Sequence, residues 1–318
     1  MKRLTNLQVL NKVHPWQNEP LINKVFNNSE KNDIEVSLII PFFNQKQTLK
    51  ECLKNVIYNT SCDFEIILIN DGSDDNSFEI AFNTVLDFKS KPNFKSATII
   101  TNEYPIYETA CDNQGFMMAQ GKYIIEIQSD IYIYEYGYDK TMIKFRELLN
   151  LSTVSAHGIH SFAYLLGKKF LFKNPFQFFK YRYFKNIYDH KSSVFEENTH
   201  KDKNKIKYIT GETCFRGPWL LLKDDLEKYG YLDQENFFLG NDDHDYNYRI
   251  YKKTGRICGF VDLDCYSDLK EGASRKKRSG TNEKIFNYLE ATRISRFSTI
   301  ELIKHFSKYK LYAKLSFY

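Results

Sequence analysis

A strand–helix alternation from Glu35 to Ile127 constrains this chain more than any other feature. Val36–Ile40 is an apolar run stopped by Pro41, as expected of a strand covered on both faces. Leu49, Cys52, Leu53, Val56 and Ile57 recur at helical spacing and predict an amphipathic helix. Phe64–Ile69 predicts a second buried strand. A helix near 76–88, a strand near 97–101, a helix over about 108–120 and a fourth strand over Tyr123–Ile127 follow. This order predicts an α/β fold with a mostly parallel, doubly wound sheet and right-handed crossovers. Ligands of such sheets bind at the carboxyl ends of the strands. Here those ends carry Pro41–Asn44, Asp71–Asp75 and Gln128–Asp130, so three strand ends deliver polar or acidic groups to one edge.

Composition narrows the choices around that frame. At 318 residues, with 42% hydrophobic and 27% charged side chains, the chain is long enough for one large α/β domain or two small ones. A net charge of +5 gives no global signal for nucleic acid, and no nucleic-acid partner is expected. The six cysteines are widely spaced, without zinc-ligand spacing, and read as reduced core thiols. The longest apolar run, Val36 to Phe43, is interrupted and far short of the ~20 residues of a membrane span. No secretory leader is read at the start, so the expected location is cytoplasmic, with peripheral contact at the cytoplasmic face of the membrane as an option. Residues 1–33 are polar and weakly patterned and read as an extension. Residues 34–270 read as the main domain, and 271–318 as a basic loop and helical tail with an irregular acceptor-side part before it. The stretches 168–188 and 291–318 interleave basic and aromatic residues. They suit an amphipathic helix packed on the domain or an anionic membrane surface, with nucleic acid the least favoured reading.

Asp71, Asp130 and Asp243 each sit at a strand end or helix start. Acids beside a nucleotide diphosphate make sense with a divalent cation between them, and Mg²⁺ or Mn²⁺ takes carboxylate and phosphate oxygens. The alternative is that each is a turn or cap residue.

Taken together, the segments Val36–Asn44, Ile66–Asp75, Asn113–Gly115 with Ala119–Ile125, Gln128–Asp130, and Asp242–Tyr246 with Arg249 resemble glycosyltransferase family 2, which has the GT-A fold. The resemblance covers about residues 35–265. It implies that Pro41, Phe42, Phe43, Asn44 and Asp71 hold the base and ribose of a nucleotide sugar, favouring a UDP-sugar, with Asn113, Gln128 and Ser129 on the same donor side. It further implies that Asp130 carries Mn²⁺ or Mg²⁺ and that Asp243 is the general base of an inverting transfer to an acceptor hydroxyl, with Asp242 as the fallback. The acceptor would be a glycan, a lipid-linked sugar or a small molecule.

Two positions depart from the family pattern. Gln128 replaces the first acid of the usual Asp-x-Asp, which implies weaker metal binding, and Asp242 replaces the usual Glu. The family's later metal-binding His has no counterpart between Val261 and Gly280, leaving Tyr266 or Asp268 as stand-ins. Gly211–Trp219 resembles the acceptor-side segment, so Trp219 could stack on an acceptor sugar or pack in the core. His157 and His160 could line the same side. Arg275, in a Gly/Ser/Lys/Arg-rich loop, could grip the diphosphate or remain solvated. His244 is either a ligand or an ordinary histidine, and Asp245 and Arg249 have the i, i+4 spacing of a helix ion pair. Two rivals remain: a catalytically inactive glycan- or partner-binding module, and a nucleotidyltransferase. The second lacks its Gly-rich phosphate loop after the first strand.

Overall fold

The computed structural model describes residues 19–28, 33–160, 208–235 and 237–267, with isolated positions 272, 283, 284, 286 and 287. The stretch 168–188, the tail from 291, and residues Asp268 and Arg275 lie outside the described residues, as does the side chain of His160. The elements run β1 (Leu21–Asn27), β2 (Val36–Phe42), α1 (Leu49–Asn59), β3 (Phe64–Asn70), α2 (Ser77–Asp87), β4 (Phe94–Thr101), α3 (Glu108–Met118), β5 (Tyr123–Glu126), β6 (Ile131–Ile133) and α4 (Tyr138–Leu149). They continue with β7 (Val154–Ser155), β8 (Ile159–His160), β9 (Tyr208–Gly211), β10 (Thr213–Cys214), β11 (Trp219–Leu222), α5 (Lys223–Tyr229), α6 (Asp242–Thr254), β12 (Cys258–Val261) and β13 (Cys265–Ser267).

A nine-stranded sheet has the order β1-β4-β3-β2-β5-β11-β7-β12-β9. Its heart, β4-β3-β2-β5, is parallel, while β11 runs antiparallel to both β5 and β7. The chain winds outward from β2 to β4 and then returns to the other side of β2 as β5. That reversal is the switch point at which such sheets bind ligands. Two small antiparallel pairs, β8–β10 and β6–β13, flank the main sheet.

Period-two alternation sorts the strand side chains between two cores. Leu38, Ile40, Ile66, Leu68 and Ile125 meet α1, α2 and α4 on one face. Ile39, Ile67, Ile69 and Ile124 meet α3, α5 and α6 on the other. This double burial is why β2 and β3 read as unbroken apolar runs. Helix α3 lies so close to the sheet that a Cβ on Gly115 would overlap Ile39 Cγ2 and come 3.1 Å from Ile69 Cδ1. All six cysteines are free and buried, as the sequence suggested.

Several strands have no counterpart in the sequence reading, β1 and most of the short strands after β5 among them. Leu21–Asn27, within the stretch read as an extension, pairs antiparallel with β4 at the sheet edge. Leu21 and Ile22 are 64% and 49% exposed there, while Val25 and Phe26 pack on the core, Phe26 edge-on to Phe94 with ring centroids 4.8 Å apart.

Candidate active site

The loops after β2 and β3 are stitched together. Asn44 adopts a left-handed conformation (φ 51°), donates its backbone N–H to Ser73 Oγ at 3.1 Å, and exchanges side-chain bonds with Asp74. Asp75 accepts the backbone N–H of Ser77, the first residue of α2, at 2.9 Å. Asp71 is almost wholly buried. Its two carboxylate oxygens accept the backbone N–H groups of Ile106 at 2.7 Å and Tyr107 at 3.0 Å. Burial raises its pKa, and those bonds oppose the rise. Phe42 and Phe43 are buried, Phe42 in the core under α1, while Pro41 is half-buried at the strand end.

At the end of β5, Gln128 turns its side-chain amide to Glu108 Oε1 at 2.7 Å. Ser129 is buried, and its carbonyl faces Thr48 Oγ1 at 3.5 Å. Asp130 is nearly buried and accepts a hydrogen bond from Ser267 Oγ at 2.9 Å. Ser267 therefore stands beside this acid, whereas Tyr266 points its ring at Tyr132.

An acidic cluster centres on Arg216, whose side chain the sequence did not single out. Its guanidinium pairs with Asp112 and Asp242 and lies 3.5 Å from Glu108 Oε1. Its backbone N–H donates to Asp243 Oδ2 at 3.1 Å, and the other oxygen of Asp243 takes the N–H of His244 at 2.7 Å. Glu126, at the end of β5, is wholly buried, and neither of its carboxylate oxygens has a hydrogen-bond partner. Burial pushes its pKa well above the usual range, and the nearby charge of Asp112 pushes the same way. Asp112 is raised to about 7 by burial, with Arg216 opposing. For Arg216 burial works against the charge, but Glu108, Asp112, Glu126 and Asp243 together hold the proton more firmly than usual. The adjacent aspartates are thus divided: Asp242 faces the guanidinium, and Asp243 faces two backbone donors.

Other residues expected at the site serve the scaffold. Trp219 is wholly buried in β11 and packs edge-on against Tyr246 with ring centroids 5.6 Å apart, so core packing, not acceptor stacking, occupies its ring. Asn113 clamps the loop after α5 through Leu232 and Gln234. His157 Nδ1 lies 2.8 Å from the Arg216 carbonyl, which can only accept, so that nitrogen carries the proton. Burial lowers the His157 pKa to about 4. His244 is a buried core histidine at 2.8 Å from Thr213 Oγ1, its pKa also lowered by burial. Asp245 and Arg249 form the helix ion pair, and Arg249 also caps the carbonyls of residues 229–231.

No group of three or more His, Cys, Asp or Glu poised to hold a metal occurs among the described residues. Among the described residues Asp130 offers a carboxylate just beyond β5, a donor that fits a divalent cation sharing its coordination with diphosphate oxygens. No helix among the described residues is long and apolar enough to cross a membrane.

A parallel heart with amide and acid groups at its carboxyl edge, beside the switch point, defines the class: an α/β fold of the GT-A type. Residues 37–230 match the model of glycosyl transferase family 2, and the chain belongs to that family of glycosyltransferases. It is similar to the uncharacterized glycosyltransferase YibD of Escherichia coli K12, at 31% identity over 108 residues, 34% of this chain and 29% of the relative. It is also similar to the cholesterol galactosyltransferase of Borreliella burgdorferi, at 38% identity over 96 residues, 30% of this chain and 25% of the relative. Each match thus spans under a third of the relative's length. The structure of GalNAc-T7 with UDP, GalNAc and Mn²⁺ shares the fold at TM-score 0.53 and 14% identity, covering 88% of this chain and 55% of that one.

Proposed function

We propose that this chain transfers a sugar from a nucleoside-diphosphate donor, with UDP favoured, to an acceptor hydroxyl in a single displacement with inversion. One observation carries the reading. A polar chain runs from Gln128 at the end of β5 through Glu108 to Arg216 and on to Asp242 and Asp243, joining the donor edge to the acid pair. Asp130 binds on the diphosphate side, and a divalent cation held there would neutralise charge on the leaving group. Asn44 and the Asp71-anchored loop shape the rim for base and ribose.

Asp243 takes the proton of the acceptor hydroxyl as its oxygen bonds to the anomeric carbon. The bond to the diphosphate breaks, and the diphosphate leaves with the electron pair. Asp242, fixed against Arg216, keeps that guanidinium in place. Its neighbour can then act alone, since adjacent helical residues do not face the same way.

The first test is thermal stability with UDP, GDP, CDP and dTDP, with and without Mn²⁺, on wild type and Asp130→Asn. UDP with Mn²⁺ leads because GalNAc-T7, which shares the fold, was crystallised with both. A ligand at ~100 times its Kd stabilises by about 2.7 kcal/mol. The expected result is a shift for UDP that needs the metal and is lost in Asp130→Asn. No shift with any nucleotide overturns the reading, and a shift without sugar transfer would make the protein a binding module.

A further inference from the structure

Asp243 takes both of its hydrogen bonds from main chain, the N–H of Arg216 at 3.1 Å and that of His244 at 2.7 Å. His244 lies inside α6, where the helix fixes its peptide. Arg216 has no such frame. It lies outside any helix or strand, between the end of β10 at Cys214 and the start of β11 at Trp219. Whatever holds the Arg216 backbone therefore sets where Asp243 stands.

The segment running from β7 to β8 faces this gap and pairs with both of its ends. On one side Ala156 donates its N–H to Pro218 O at 3.0 Å, continuing the β7–β11 pairing of Ser155 with Trp219. On the other side Phe215 donates its N–H to Gly158 O at 3.1 Å, continuing the β8–β10 pairing of Ile159 with Cys214. Between those two rungs one residue, His157, stands opposite two, Arg216 and Gly217, and Gly217 takes a left-handed φ of 77°. This is the two-against-one count of a bulge, which interrupts the backbone ladder and re-aims side chains. The His157 side chain spans the interruption, its Nδ1–H donating to Arg216 O at 2.8 Å. The imidazole is itself braced: the His157 N–H donates to Ser155 Oγ at 2.9 Å, and its ring meets that of Phe215 with centroids 5.4 Å apart. Burial lowers its pKa to about 4, so at neutral pH the rung carries no charge beside the Arg216 guanidinium.

Arg216 is thus gripped at both backbone groups. Its carbonyl is held by His157, its N–H holds Asp243, and its guanidinium holds Asp112 and Asp242. We infer that His157 is a positioning residue for sugar transfer: it fixes the Arg216 main chain across the bulge and, through the Arg216 N–H, aims the Asp243 carboxylate at the acceptor hydroxyl. The inference rests on the reading of Asp243 as the base.

The test compares the full chain as wild type, His157→Leu and His157→Asn. Asn carries its amide nitrogen as many bonds from Cα as Nδ1, so it can restore the rung. Amide hydrogen exchange is measured first, because it needs no acceptor. His157→Leu should speed exchange of the Arg216 N–H by at least about tenfold while the amides of β11 and β12 keep their rates. His157→Asn should bring the Arg216 rate back towards wild type. Turnover is then read as UDP release from UDP-glucose, UDP-galactose and UDP-N-acetylglucosamine with water as acceptor. In His157→Leu kcat should fall by about tenfold to a hundredfold with the donor KM unchanged, and His157→Asn should recover most of it. Adding His157→Leu to Asp243→Asn should lower kcat no further, since both act at one carboxylate. A wild-type exchange rate at Arg216 in His157→Leu, loosening of β11 and β12 alongside it, or additive losses in the double variant overturns the inference. Wild-type turnover in Asp243→Asn would instead sink the base reading, and faster Arg216 exchange would then make His157 a brace of the fold only.

Discussion

Arg216 and Asp242 form an ion pair in which both side chains are almost wholly removed from water. The same guanidinium also pairs with Asp112, so one cation serves two buried carboxylates from two helices. Charges taken from water repay their desolvation only when partnered, and removing one partner costs far more than the pair is worth.

Arg216→Met should therefore destabilise the protein by about 3–5 kcal/mol, with Arg216→Lys intermediate. Urea unfolding at neutral pH measures both. A loss in Arg216→Met no larger than the ~0.5 kcal/mol of an ordinary surface change would show that the cluster is not held by this cation.

Asp243→Asn should lower sugar transfer by about 10²–10⁴-fold while leaving the UDP thermal shift in place. Asp242→Asn, which loosens one arm of the Arg216 pairing, should lower stability more than it lowers turnover. UDP release from a panel of UDP-sugars separates the two. Equal turnover in wild type and Asp243→Asn would remove Asp243 from the role of base.

Glu126 predicts a pH dependence of stability. Its folded pKa lies well above the unfolded value of about 4.3. The folded state thus binds the extra proton, and stability falls as pH rises beyond about 4.3. Asp112 contributes in the same direction up to about pH 7. Glu126→Gln mimics the protonated form, so its urea midpoint should drop less between pH 5 and pH 8 than that of wild type. An unchanged drop would mean that Glu126 is already ionised when folded.

Gly115→Ala should cost about 1–3 kcal/mol by overpacking, because the added methyl meets Ile39 and Ile69 from the sheet face. Thermal unfolding reads this directly. A neutral or stabilising substitution would show that α3 can lift from β2 without penalty.

The parallel heart was legible because its strands are covered on both faces, so their apolar runs and the helical repeats between them survive in one dimension. Edge strand β1 was not, since Leu21 and Ile22 are exposed while Val25 and Phe26 pack inward, a mix that leaves no clean alternation to read. The carboxyl edge of the sheet was legible too, with Asp71, Gln128 and Asp130 all falling just beyond strand ends. Arg216 escaped notice as a side chain because its partner Asp112 is 104 residues away, a contact no local pattern reports. Glu126 did leave a trace, as an acid directly after the apolar Tyr123–Ile125 in a strand covered on both sides. Trp219 heads the run Trp219–Leu222, whose apolar continuity marks a covered strand.

The bond from Asp71 to the N–H groups of Ile106 and Tyr107 ties the tip of β3 to the segment entering α3, and Asn44 and Asp74 tie β2's loop to β3's. The loops after β2, β3 and β4 are thus tied to one another. On the donor site proposed above, a nucleotide would meet backbone of the β2, β3 and β4 loops already tied together, so these loops would cost little of its binding free energy to order. On that proposal base selectivity would fall to the side chains at the rim, and exchanging one or two of them would change the preferred base without rebuilding the fold.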